Sequence, residues 1–125
     1  QKKYCTVDMS KQNKRDGVLV RGRILKDWDR LLDKESTRIR VLIKNYAREE
    51  NGVMADTSFD VLCDYLAMCN QMRILVQAFL EDLHPNEISV RISPVEHMAY
   101  KTLAKSVEII RNRLRDEFHI SMEPI

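Results

Sequence analysis

The three cysteines and three histidines are the residues whose types could support nucleophilic or metal chemistry. They are Cys5, Cys63, Cys69, His84, His97 and His119. A catalytic cysteine needs a general base beside it, and structural zinc needs short ligand pairs such as CxxC. Cys63 and Cys69 instead fall within an apolar helical pattern, about 240° apart around the helix, so they cannot form a disulfide with each other. We therefore predict reduced, structural thiols and no catalytic, cofactor-binding or metal-binding residue.

Acidic pairs and glycines are the other features that could indicate an active site. The acidic pairs lie on polar stretches near predicted helix ends, where a solvated surface explains them: Glu49-Glu50, Glu81-Asp82 and Asp116-Glu117. Gly17, Gly22 and Gly52 are far apart, which excludes a glycine-rich phosphate loop. The sequence therefore predicts a protein that is not an enzyme.

Charge is distributed unevenly along the chain. Residues 1–26 hold eight Lys/Arg and two acidic residues, whereas residues 51–87 hold one Arg and six acidic residues. Clustered Lys/Arg favour phosphate groups through counterion release. The basic arm, which includes Arg21 and Arg23, could therefore contact a nucleic acid, an acidic partner or the acidic middle of this chain.

Composition bounds the class of protein. A chain of 125 residues, 44% hydrophobic and 32% charged, is typical of one folded domain, and three Pro and three Gly favour long helices over a β-sheet protein. No run of 18 apolar residues is present, and the first residues are polar and basic. We expect a fragment of a longer intracellular protein, nuclear or cytoplasmic, that does not bind a membrane.

Three helices are predicted from apolar residues spaced alternately by three and four. Helix one spans residues 23–50, with a seam interrupted at Glu35. Helix two begins at a capping pattern at Thr57 and ends at His84-Pro85, and its wide apolar arc predicts the central element. Helix three spans 94–118 after a capping box at Ser93, with its seam at Ala99, Leu103, Val107, Ile110, Leu114 and Phe118.

These elements predict a mainly α fold. Three helices of similar length favour an antiparallel up-down-up bundle. Extended segments at residues 4–9, 17–21 and 88–92 could pair into a small β-ribbon. Residues 1–22 are predicted to be a basic arm or short strands, and residues 23–125 the bundle domain.

The predicted function is a protein-interaction or scaffold module of a larger assembly. Three helices can each bury one seam, which leaves other apolar positions for a partner. The predicted partner-binding residues are Arg21, Arg23, Val41, Tyr100 and Ile109. The partner would be another protein, supplying a helix or a strand, or a second copy of the chain. The alternative is a nucleic-acid-associated domain that uses the basic arm.

Overall fold

The computed structural model describes residues 17–49 and 57–120. It has three long helices and two short strands, in the order β1 Val18–Arg21, α1 Gly22–Glu49, α2 Thr57–Glu81, β2 Ser89–Ile92 and α3 Pro94–Phe118. The predicted helical fold with a small β-ribbon is confirmed. α2 ends three residues before His84, in a turn where the amides of Asp82 and Leu83 bond carbonyls three residues back.

Helix α2 is the central element of the bundle and packs against both α1 and α3. Its inward face supplies much of the buried core, namely Val61, Leu62, Tyr65, Cys69, Met72, Val76 and Phe79. The three-four spacing that predicted this helix therefore identified its buried face. Ile39 from α1, and Val107 and Leu114 from α3, pack around it in the larger of two core clusters.

The β-ribbon covers one end of the bundle. Its two strands are antiparallel, with Val18 opposite Ile92 and Val20 opposite Val90. Val90 and Ile92 are buried and join Leu25, Val76 and Phe79 in the second core cluster. The alternation seen in the sequence thus places one face of β2 against the helices. The third predicted segment, residues 4–9, lies outside the described residues.

The start of α3 follows from its sequence. Ser93 has an extended backbone and accepts a hydrogen bond from the Glu96 amide at 3.2 Å, while its hydroxyl donates to the Glu96 carboxylate at 2.9 Å. Pro94 occupies the first helical position. The predicted Ser93 cap and the position of Pro94 are confirmed, whereas the Glu96 carboxylate contacts the Ser93 hydroxyl rather than the Ser93 amide of a full capping box. The helix closes at His119, whose left-handed backbone (φ 57°) lets its amide bond the Leu114 carbonyl.

The beginning of the α3 seam was predicted wrongly. Ala99 is exposed, and Tyr100 takes the inward position. The Tyr100 ring stacks on Trp28 at a centroid distance of 4.9 Å and meets the edge of Phe79 at 6.4 Å. A seam that runs through Tyr100, Leu103 and Val107 keeps the three-four spacing, and it places the larger aromatic area in the core.

Candidate partner-binding groove between helices α1 and α3

The residues predicted to bind a partner do not form one surface. Arg21 and Arg23 are exposed where β1 meets α1, and Val41 (51% exposed) lies further along α1. Ile109 (63% exposed) lies on the outside of α3. Tyr100 is half-buried, and its ring packs against Trp28 and Phe79 as part of the core.

A groove between α1 and α3 brings side chains of all three helices together. Its volume is about 260 Å³. It is lined by Leu31, Leu32 and Glu35 of α1, Cys69 and Met72 of α2, and Ala104, Val107, Glu108 and Arg111 of α3. Because α2 packs against both other helices, its residues form the floor, and α1 and α3 form the walls.

Two contacts between helices bracket the groove along its length. The stacked rings of Trp28 and Tyr100 join α1 to α3 about one turn before Leu31 and Ala104, the first lining residues on each wall. About two turns, or 11 Å, beyond Trp28 lies Glu35, where a chain of polar groups crosses all three helices. The opening between these contacts spans about two helical turns along α1.

Glu35 is the chemically distinctive residue of the groove. It is only 6% exposed, and its Oε2 accepts a hydrogen bond from the Tyr65 hydroxyl at 2.5 Å. Arg111 in turn donates from Nε to the same hydroxyl at 3.2 Å. Oε1 of Glu35 is buried and has no hydrogen-bond partner among the described residues. An unpaired buried acceptor is unfavourable, more so when it carries charge.

Burial and the Glu35 carboxylate also raise the pKa values of two neighbouring side chains, Tyr65 and Cys69. Burial raises the pKa of Tyr65, and the hydrogen bond to Glu35 raises it further. Burial likewise raises the pKa of the Cys69 thiol to about 12, with a smaller contribution from the Glu35 charge. A thiol held in its protonated form is a poor nucleophile. The raised pKa therefore makes the Cys69 thiol on the groove floor a weak nucleophile.

The opposite side of α1 is closed by polar contacts with α2. Arg73 donates to Asp29 at 3.0 Å and to Asp33 at 2.9 Å. Ser36 donates to Asn70 at 3.2 Å. These contacts hold α1 on α2 along the side away from α3, which leaves the side toward α3 for the groove.

Sequence reasoning did not identify Glu35 as a candidate functional residue. The seam of α1 was interpreted as interrupted at this position, whereas the structure shows that Glu35 continues the seam and is buried in it. The sequence did contain a signal, because Glu35 is an acidic residue on an apolar helical face and the seam of α2 carries Tyr65. A buried carboxylate needs a hydrogen-bond donor, and a buried tyrosine hydroxyl can supply one. Which hydroxyl meets the carboxylate depends on how the helices pack, and the spacing alone does not give it.

Within residues 17–49 and 57–120, no group of three or more His, Cys, Asp or Glu side chains is arranged to hold a metal ion. Cys63 and Cys69 are free thiols, as predicted, and Cys5 lies outside this part of the chain. None of the described helices contains an apolar stretch sufficient to span a membrane. The chain matches no protein-family model, no curated protein and no solved structure. The interpretation of the groove therefore depends on its geometry and chemistry.

Proposed function

We propose that this domain is a protein-interaction module that binds a helix of a partner protein along the groove between α1 and α3. The observation that carries the proposal is the groove itself, because it is concave, has apolar walls at Leu31 and Val107, and contains a buried polar group at Glu35. Such a combination of apolar area with a few placed polar groups is characteristic of binding sites.

The position of the groove favours a helix as the occupant. A helix laid over the space between α1 and α3 completes a four-helix arrangement and projects side chains from one face into the groove. A volume of about 260 Å³ holds individual side chains rather than a whole helix. The partner helix is therefore expected to lie across the rim and to insert one or two residues.

Selection of helical peptides against the domain tests this proposal. Ala104→Trp fills the groove from the α3 wall, and Ile109→Asp is the matched control on the outer face of the same helix. We expect selected peptides to lose at least about tenfold in affinity with Ala104→Trp and to bind the Ile109→Asp variant normally. Circular dichroism verifies that both variants fold. The proposal is wrong if no peptide is selected, or if the tightest peptides tolerate Ala104→Trp.

A second copy of the chain is the alternative occupant of the groove. Sedimentation of the wild-type domain and of the Ala104→Trp variant separates the two cases. We expect a monomer in both. A dimer that dissociates with Ala104→Trp would mean that the groove binds a second copy.

Exposed basic residues at the end of β1 and in the first half of α1 support nucleic-acid binding as a second candidate function. Arg21, Arg23, Lys26 and Lys34 are all exposed. Phosphate contacts through several such residues weaken steeply with salt, whereas apolar docking does not. Binding of generic DNA and RNA at low and high salt therefore discriminates, with Arg21→Gln/Arg23→Gln as the test variant. Salt-sensitive binding that this variant abolishes, together with the failure of peptide selection, would favour the nucleic-acid function.

A further inference from the structure

We infer that the groove accepts a basic side chain, a lysine or arginine of the partner helix, whose N–H group donates to Oε1 of Glu35. This inference rests on the proposed function and specifies the residue that the partner must supply. It starts from Oε1 of Glu35, which is the one buried side-chain nitrogen or oxygen atom of the described residues that has no hydrogen-bond partner.

The neighbours of Glu35 do not supply the missing donor. The Tyr65 hydroxyl is used on Oε2 at 2.5 Å, and Arg111 directs its Nε to that hydroxyl at 3.2 Å. Ser36, adjacent in the chain and also buried, donates to Asn70 of α2. Oε1 is therefore the acceptor that remains for an incoming group.

Charge favours a cation over a neutral donor. Among the lining residues, Glu35 and Glu108 are acidic and Arg111 is basic, so the groove carries a net charge of −1. A bound ammonium or guanidinium neutralises this charge and forms a charge-assisted hydrogen bond, which is stronger than a neutral one. A carboxylate ligand would instead face Glu35 at close range.

Shape favours a long, partly apolar side chain. The walls at Leu31, Leu32 and Val107 and the floor at Met72 are apolar, whereas the acceptor is buried among them. Lysine and arginine carry a charged end on an apolar stem, and such stems pack along apolar surface. The stem would contact the walls, and the charged end would reach Glu35.

Small probes test this chemistry directly on the intact chain. n-Butylguanidinium carries a cationic end on an apolar stem, and butyrate is its anionic counterpart. Titrations followed by the methyl resonances of Leu31, Leu32 and Val107 should show saturable binding of n-butylguanidinium and none of butyrate at the same concentration. If butyrate binds equally well, or if neither probe shifts these resonances, the inference is wrong.

Glutamine substitutions of two acidic residues test whether Glu35 is the acceptor. Glu35→Gln keeps the shape of the side chain and an oxygen for Tyr65, but it removes the charge, so we expect n-butylguanidinium to bind at least about tenfold more weakly. Glu117→Gln removes an exposed carboxylate of α3 that does not line the groove, and we expect a change of about twofold or less. Equal binding by wild type and Glu35→Gln would overturn the assignment. The comparison of probes on wild-type protein stands even if Glu35→Gln does not fold.

The selected peptides separate this inference from the proposed function. Each lysine or arginine of a peptide is replaced in turn by norleucine, which retains an apolar stem without the charge. We expect one replacement to weaken binding by about tenfold in wild type and to have little effect in Glu35→Gln. Peptides that need the groove but no basic residue would overturn the inference and leave the function in place. Failure to select any peptide would contradict the function, whatever the probes show.

Discussion

The hydroxyl of Tyr65 donates a hydrogen bond to the carboxylate of Glu35, joining α2 to α1 inside the core at a distance of 2.5 Å. Arg111 extends the contact to α3. One chain of polar side chains therefore links all three helices. It lies where the inward-facing seam of each helix would otherwise be apolar. Because a buried carboxylate is unfavourable without donors, this contact both stabilises the packing of the helices and marks the groove.

Removal of the Tyr65 hydroxyl should destabilise the fold. In Tyr65→Phe, Glu35 loses its donor and Arg111 loses its acceptor, so we expect the free energy of unfolding to fall by about 2 to 4 kcal/mol. Urea denaturation measures the change. Tyr100→Phe is the matched control, since it removes a half-buried hydroxyl that forms no hydrogen bond with the described residues, and it should lower stability by less than about 1 kcal/mol. Equal losses of stability in the two variants would show that the hydrogen bonds of the Tyr65 hydroxyl do not stabilise the fold.

Much of the fold follows from local patterns, whereas the groove does not. The Ser93 cap and the spacing of the α2 seam depend on residues close in the chain, so they can be recognised in sequence. The contact between Glu35 and Tyr65 joins residues 30 positions apart and depends on how two helices align. Tyr100 illustrates the same limit, since Ala99 and Tyr100 both fit a helical spacing until packing against Trp28 decides between them.

Stability should fall as the pH rises above 9, partly through Cys69. Burial raises the pKa of this thiol from 9.0 to about 12. Below pH 9 the thiol is protonated in both states; above it the unfolded chain loses the proton first, so stability decreases by up to about 1.4 kcal/mol per pH unit. Cys69→Ala should therefore show a shallower decline between about pH 9 and pH 10, measured by urea denaturation. Parallel curves for wild type and Cys69→Ala would contradict this contribution.

The two described thiols should react at different rates in the native protein. Cys69 is 1% exposed, whereas Cys63 is partly exposed, with its pKa raised by burial and by the nearby Asp60 and Asp64. In a Cys5→Ser background, we expect a thiol reagent to modify Cys63 slowly in native protein and Cys69 only after unfolding. Mass spectrometry of the labelled peptides distinguishes them. Native labelling of Cys69 at the rate of Cys63 would show that the groove floor is open.

Pairing of β1 with β2 should require glycine at position 17. A Cβ atom there would lie 1.7 Å from the Ile92 carbonyl oxygen, so Gly17→Ala forces the strands apart. At Gly22 the nearest atom to an added Cβ is a Leu83 methyl at 2.6 Å, which belongs to a flexible side chain. We expect faster amide exchange in the ribbon with Gly17→Ala than with Gly22→Ala, measured by hydrogen–deuterium exchange. Unchanged protection in Gly17→Ala would contradict the observed pairing.

The most direct test of the docking groove is to locate a bound peptide on the domain. Methyl resonances of Leu31, Leu32, Met72 and Val107 report on the groove, and those of Val41 and Ile109 report on the outer faces of α1 and α3. When a selected helical peptide is titrated into the protein, we expect the first group to shift and the second to remain unchanged. Shifts confined to Val41 and Ile109, with the groove resonances unmoved, would show that the partner binds elsewhere and that the groove is not the docking site.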